Sequence, residues 1–160
     1  MKSLMKYIGV IKYILILFLL AFIVSLLSSG EISDADIKDV SKQVVKAYGA
    51  KGLSAADNRM VKRLYGINAN DYEGVTLYVS DSNMKVEELL IVKLKDVSQS
   101  EAVEAAIEGR LDKQLESFEG YGVEQSKLLK DHVLDVKGNY ILYVVDKNAK
   151  KADKAFQKSL

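Results

Sequence analysis

Across its 160 residues the chain has no cysteine, no proline and no tryptophan, and it has a single histidine. Without cysteine it can form no disulfide, no thiolate zinc site, no thiol nucleophile and no lipid-modified N-terminal cysteine. Without proline it offers no proline-rich ligand motif and no cis-proline turn. One histidine excludes a multi-histidine metal site, and no metal or other cofactor is expected. An excess of charge is missing too. The 23 Lys and Arg stand against 22 Asp and Glu, a net +1, whereas a nucleic-acid-binding chain normally carries a basic excess on one face, so no nucleic-acid partner is expected.

Acid is missing from the first 30 residues, where Lys2, Lys6 and Lys12 are the only charges and Glu31 is the first carboxylate. The other 130 residues hold 20 Lys and Arg against 22 acids. The chain therefore divides into residues 1–30, a cytoplasmic start and transmembrane anchor, and residues 31–160, an extracytoplasmic domain. From Tyr13 to Gly30 no residue is charged, and at about 1.5 Å per residue such a helix nearly matches the hydrocarbon thickness of a bilayer. A span over roughly residues 7–28 follows, with Lys12 reaching the interface through its long stem. Lysines before the span and acids after it put the N-terminus in the cytoplasm and residues 31–160 outside a cell membrane crossed once. The competing reading is a signal peptide cut near Gly30, which would make the domain a secreted one. The apolar stretch is longer than a usual signal core and lacks an Ala-x-Ala site, which favours the uncleaved anchor.

Residues 31–160 read as an α+β domain. Ser33 or Asp34 is expected to cap a helix with Ile37, Val40, Val44 and Tyr48 on one face, closed by Gly49. Ser54, followed by Asp57, reads as the start of a second helix ending at Gly66. The β-branched and aliphatic runs Val75 to Val79 and Leu89 to Leu94 predict a hairpin turned by Asp81, Ser82 and Asn83. The near-continuous second run suits a central strand. Ser98 with Glu101 opens the longest helix, running to about Glu119 with Val103, Ile107, Leu111, Leu115 and Phe118 on one face. A short helix over Glu124 to Asp131 precedes a second hairpin, Val133 to Lys137 and Tyr140 to Val145, whose Gly138-Asn139 loop suits positive φ. A helix from Ala149 to Leu160 closes the chain. The expected architecture is a four-stranded antiparallel sheet of two hairpins with helices packed on one face.

A spaced set of residues points further. The run Arg110, Gln114, Ser117, Phe118, Tyr121, then Val136, Gly138, Asn139, Tyr140, an apolar strand and Asp146, and last Ala152, Ala155 and Phe156, resembles the bacterial domain of unknown function 4358. The resemblance spans about residues 35–158. It implies a small exported or lipoprotein-type protein of the bacterial envelope and brings no activity with it. Two departures stand out: Gly122 occupies a place where many members have Pro, and there is no lipobox cysteine, so a peptide anchor replaces a lipid one.

Arg110 and Gln114 lie one turn apart at the apolar face of the long helix, with Phe118 and Tyr121 continuing the side. As a binding site, Arg110 and Gln114 would hold a carboxylate, a phosphate or a peptide backbone beside aromatic walls. As structure, Gln114 would bond the backbone of the adjacent hairpin and Arg110 would pair with an acid. No catalytic residue is assigned: no serine sits in a Gly-x-Ser-x-Gly elbow or a Ser-x-x-Lys motif, and no glycine-rich phosphate loop is present. His132, beside Asp131 and Asp135, needs partners converging in space to act as a base. Lys147, Lys150, Lys151, Lys154 and Lys158 could meet anionic lipid or an anionic envelope polymer; the plainer reading is a solvated face whose last lysines complement the helix dipole. The expected function is a non-catalytic interaction or ligand-binding module of the envelope, partnered by the membrane and by envelope proteins or polymer. The alternative is an envelope hydrolase using His132 or paired carboxylates.

Overall fold

The computed structural model describes residues 12–20 and 31–160. The chain divides after Gly30 into two units. In the first, residues 12–20 are helical (α1), and the large apolar side chains from Tyr13 to Leu20 are all exposed. Among the described residues no helix is long and apolar enough to cross a membrane. The flanks of the expected 7–28 span, and the cleavage region near Gly30, lie outside the described residues.

The second unit runs α2 (Ile37–Tyr48), β1 (Leu53–Ala55), α3 (Asn58–Tyr65), β2 (Gly74–Ser80), β3 (Glu88–Lys93), α4 (Ser100–Ser117), α5 (Val123–Lys130), β4 (Val133–Lys137), β5 (Tyr140–Val145) and α6 (Ala149–Ser159). Its sheet has five strands in the order β1-β2-β3-β5-β4, every neighbour antiparallel. Four strands were expected. The fifth, β1, is three residues that pair Ser54 with Val79 and cover the outer edge of β2. Such an edge otherwise exposes a row of unpaired backbone groups. Ser54 is thus a strand residue and not a helix start; Asp57 caps α3 by accepting the Met60 amide at 2.9 Å.

Every residue of β3 and β5 is buried. Because side chains alternate across a strand, this requires cover on both faces. Leu90, Val92, Ile141, Tyr143 and Val145 pack in one core with residues of α3, α4 and α5, while Leu89, Ile91, Tyr140, Leu142 and Val144 pack in another with α2 and α6. Helices on one face alone would leave half of these side chains in water, at about 1.5–3 kcal/mol for each large aliphatic one. The sheet is the middle of three layers.

The two ends of the sheet differ. At the Lys93–Tyr140 end, the Gly138-Asn139 loop turns the last hairpin with Gly138 at φ 55. Asn139 reaches out of that loop: the Ser33 amide donates to its Oδ1 at 2.8 Å, and its Nδ2 donates to the Ser33 carbonyl at 3.1 Å. Tyr140 adds a hydroxyl bond to the Ala35 carbonyl at 2.5 Å. These contacts explain why Ser33 does not cap α2. It is held as an extended segment, and Asp36 caps instead, accepting the Lys38 amide at 2.7 Å. Similarly the expected Ser98–Glu101 start is displaced: Asp96 and Gln99 form a capping box on a single 3-10 turn over Val97–Gln99, and α4 follows at Ser100 with no side-chain cap of its own. At the opposite end, where Glu88 faces Val145, Tyr65 of the last turn of α3 and Arg110 of α4 come together above the sheet.

Candidate functional site

Glu88 opens β3 and is 2% exposed, an unusual place for a carboxylate unless it is paired. Three donors meet it. The Tyr65 hydroxyl, from the last turn of α3, donates to Oε1 at 2.5 Å. Arg110, from α4, donates through Nε to Oε1 at 3.3 Å and through Nη2 to Oε2 at 2.8 Å. Burial works to lower the Arg110 pKa, but the hydrogen bonds and charge of Glu88 outweigh it and hold the guanidinium charged. Burial, followed by the charge of Glu88, pushes Tyr65 well above its ordinary value. Tyr143 packs edge-on to Tyr65 at 6.4 Å and its hydroxyl is buried without a partner.

A cavity of about 500 Å³ opens beside this cluster, walled by β1, by Met60 and Leu64 of α3, by Arg110 and Gln114 of α4 with Phe118 just after it, and by the loop from Asp81 to Lys85. Gln114 is 6% exposed, and its Oε1 has no hydrogen-bond partner. A buried amide oxygen left unpaired costs about 1–3 kcal/mol. Such a group in a cavity wall calls for a reason.

Of the four candidate residues, the structure brings Arg110, Gln114 and Phe118 to one cavity and leaves Tyr121 out. Tyr121 is 68% exposed, donates its hydroxyl to the Ser117 carbonyl, and lies 5.9 Å from the Phe118 ring. The reason is that α4 ends at Ser117, so helical spacing no longer governs position 121. Gly122 lies against Phe118: a Cβ there would sit 2.5 Å from Cδ1, and its amide donates to the Phe118 carbonyl at 3.0 Å. Proline at this position would clash with the ring and lose that bond. Arg110 does pair with an acid, as one reading expected, whereas Gln114 makes no bond to a neighbouring hairpin. Glu88 was missed, since it reads as the polar boundary before an apolar strand.

The other chemical candidates do not converge. His132 places Nδ1 2.7 Å from the Leu129 carbonyl and packs 5.6 Å from Tyr143, on the face covered by α4 and α5. Asp135 is on the opposite face, where Gln157 donates to it at 2.9 Å and to Asp153 at 3.1 Å. Partial burial, and then the hydrogen bond and charge of Asp135, raise the Asp153 pKa. Lys147, Lys150 and Lys151 lie at the N-terminal end of α6, the unfavourable end of its dipole, and Lys158 alone sits in the last turn. A second cavity, about 400 Å³, lies between Tyr48, Lys51, Glu87 and Asp146.

These features define a class: a three-layer α+β domain with a polar groove at one end of its sheet, built on a buried Tyr–Glu–Arg cluster. The chain belongs to the family described as Domain of unknown function (DUF4358), whose model matches residues 46–146. The match takes in β1 through β5 and every residue of the cluster, and stops before α6. No curated protein and no solved structure matches the chain.

Proposed function

We propose that this chain is a membrane-tethered extracytoplasmic binding domain of the bacterial envelope, with its ligand seated in the groove between α3 and α4. The observation that carries the reading is the cavity of about 500 Å³ itself, in whose wall Arg110 and the 6%-exposed Gln114 stand beside Met60, Leu64 and Phe118. Polar groups beside an apolar wall in one concave site are the usual make-up of a ligand pocket. The tether is supported by the uncharged run from Tyr13 to Gly30, preceded by lysines alone, and by the exposed apolar side chains of α1. His132 and the Asp135–Asp153 pair stand on opposite faces of the sheet, so a binding module is better supported than a hydrolase.

The absence of native cysteine makes the topology directly testable. A Lys38→Cys variant, exposed on α2, is expected to react with a membrane-impermeant maleimide in intact cells; labelling after permeabilisation alone would overturn the outside location. A photocrosslinker at Met60, in the groove wall, is expected to give an adduct that Gln114→Met abolishes, with none from a crosslinker at Lys42 on α2. Equal adducts from both positions would overturn the groove as the site.

A further inference from the structure

We propose that the tip of the sheet beyond Glu88 and Val145 carries a second site, a lysine-lined furrow that takes a linear polyanion bearing phosphate groups. The furrow lies on the far side of the β2–β3 loop from the groove between α3 and α4, with Lys85 and Glu87 bordering both. It stands or falls independently of the ligand read into that groove.

Three connections meet at this tip. The turn after α2 brings Lys51, the β2–β3 loop brings Lys85 and the β5–α6 connection brings Lys147, and all three line the cavity of about 400 Å³. Leu128, Lys147 and Asn148 also belong to a more open depression of about 900 Å³, which continues to Lys127, Lys150 and Lys151. The two depressions therefore run into each other as one furrow, with lysines along its whole course.

The charge of the furrow runs against that of its domain. Residues 31–160 hold more acids than bases, yet the furrow has six lysines against four carboxylates, Glu87, Glu124, Asp131 and Asp146. Among the described residues only one of the six lysines is in an ion pair, Lys127 with Asp131. The acids of the deeper cavity are turned to the backbone: Glu87 Oε2 accepts the Val86 amide at 3.1 Å and Asp146 Oδ1 the Asn148 amide at 2.6 Å. Lys51, Lys85, Lys147, Lys150 and Lys151 are left as an exposed excess of one sign in a concave surface, which concentrates its field on an entering counter-ion. Helix stabilisation does not account for them, since the last three sit at the end of α6 where the dipole opposes a cation and no acid occupies the first turn.

The kind of cation narrows the ligand. Every basic residue of the furrow is lysine and none is arginine. A guanidinium selects a planar carboxylate through two parallel bonds, whereas ammonium groups on flexible stems act as point charges and accept phosphate oxygens presented at varied angles. One phosphate could engage the lysines of one depression only. A chain of them engages both at once, the second contact being made at the high effective concentration that the first provides.

The test uses the full chain in phosphatidylcholine nanodiscs and a fluorescently end-labelled linear polyphosphate, followed by anisotropy at about 0.15 M salt, where distant surface charges are screened. The triple variant Lys51→Gln, Lys85→Gln, Lys147→Gln is expected to weaken binding at least tenfold. Lys51→Arg, Lys85→Arg, Lys147→Arg keeps the charge and is expected to stay within threefold of the parent, which separates lost charge from lost folding. Lys38→Gln, Lys42→Gln, Lys158→Gln removes the same charge from exposed positions near the opposite tip and is expected to weaken binding less than threefold. Inorganic phosphate and phosphatidylglycerol vesicles, at equal phosphate, are expected to compete at least tenfold less well than unlabelled polyphosphate. Equal weakening by the two glutamine triples would overturn the furrow as the site. Inorganic phosphate competing on equal terms would overturn the polymer as ligand, and vesicles doing so would overturn it in favour of a lipid surface. Absence of saturable polyphosphate binding would overturn the proposal outright.

Discussion

Replacing Gln114 by Met separates a residue kept for a ligand from one kept for the fold. Met has nearly the length of Gln and no strong polar atom, so it fills the same space between α4 and the sheet while removing the unpaired oxygen. The penalty removed is the desolvation of one unsatisfied acceptor, about 1–3 kcal/mol. Near 130 residues, each kcal/mol moves Tm by about 3–5 °C, so a rise of about 3–15 °C is expected. Urea unfolding followed by circular dichroism and tyrosine fluorescence suits a chain with nine tyrosines and no tryptophan, with an unchanged m-value confirming that the denatured state is the same. Gln114→Ala provides the contrast: it also removes the oxygen but leaves the space of a buried side chain empty, so it should be less stable than Gln114→Met. The reasoning fails if Gln114→Met loses more than about 1 kcal/mol. In that case the amide has a stabilising partner, such as an ordered water.

Three further outcomes are expected. Glu88→Gln leaves Arg110 without its charge partner and should lower stability by about 3 kcal/mol, the low end for a broken buried pair because the Arg110 side chain keeps 20% exposure; the triple variant Tyr65→Phe, Glu88→Leu, Arg110→Met, which also removes the hydroxyl bonded to Glu88, should lose less than the sum of the single changes, and additive losses in denaturant titrations would contradict the pairing. Asn139→Ala removes two hydrogen bonds to the Ser33 backbone and should cost about 1–3 kcal/mol, with faster amide exchange at Ser33 and Ala35; unaltered exchange there would show that the clip holds nothing. Asp153 has a folded pKa above its unfolded one, so the native state binds more protons and stability should grow as pH falls through that folded value. Asp153→Asn should therefore be more stable than the parent at neutral pH and equal to it once Asp153 is protonated in both states; a constant difference across the pH range would rule out the carboxylate pair as the cause.

What was legible in the sequence follows the reach of each signal. The hairpin Val133–Lys137 and Tyr140–Val145 could be read to the residue, because alternation and a two-residue Gly-Asn loop are local features. The caps Gly49 and Gly66, both left-handed, were legible for the same reason. The three residues of β1 were not, since so short a strand has no period and exists by pairing with Val79 and its neighbours. Two-sided burial was present in the unbroken apolar runs of β3 and β5, but a sheet with one open face was inferred from the order of elements instead. In the site, helical spacing correctly set Gln114 inside and Arg110 at the border. It could not supply Glu88, 22 residues earlier on another element. The available signal was an acid directly joined to a strand buried on both faces.

Glu88 also clarifies why the polar groove lies where it does. A carboxylate in the middle of β3 would be walled in by the aliphatic and aromatic side chains of the two cores; at the first residue of the strand it is within reach of Tyr65 in the final turn of α3 and of Arg110 on α4. The same strand ends at Lys93, paired with Glu73 at 2.8 Å and lying 5.6 Å from the Tyr140 ring, close to the Asn139 clip. The charged residues of β3 are therefore at its two tips, about 17 Å apart at the usual rise of a strand. One tip secures Ser33 and the chain leading to Glu31; the other borders the cavity. Since the incoming segment and a groove ligand would use different tips of the sheet, neither has to displace the other. Substitutions at Asn139 should thus change stability while leaving the affinity of the folded groove unchanged, and substitutions at Gln114 should change affinity without releasing Ser33.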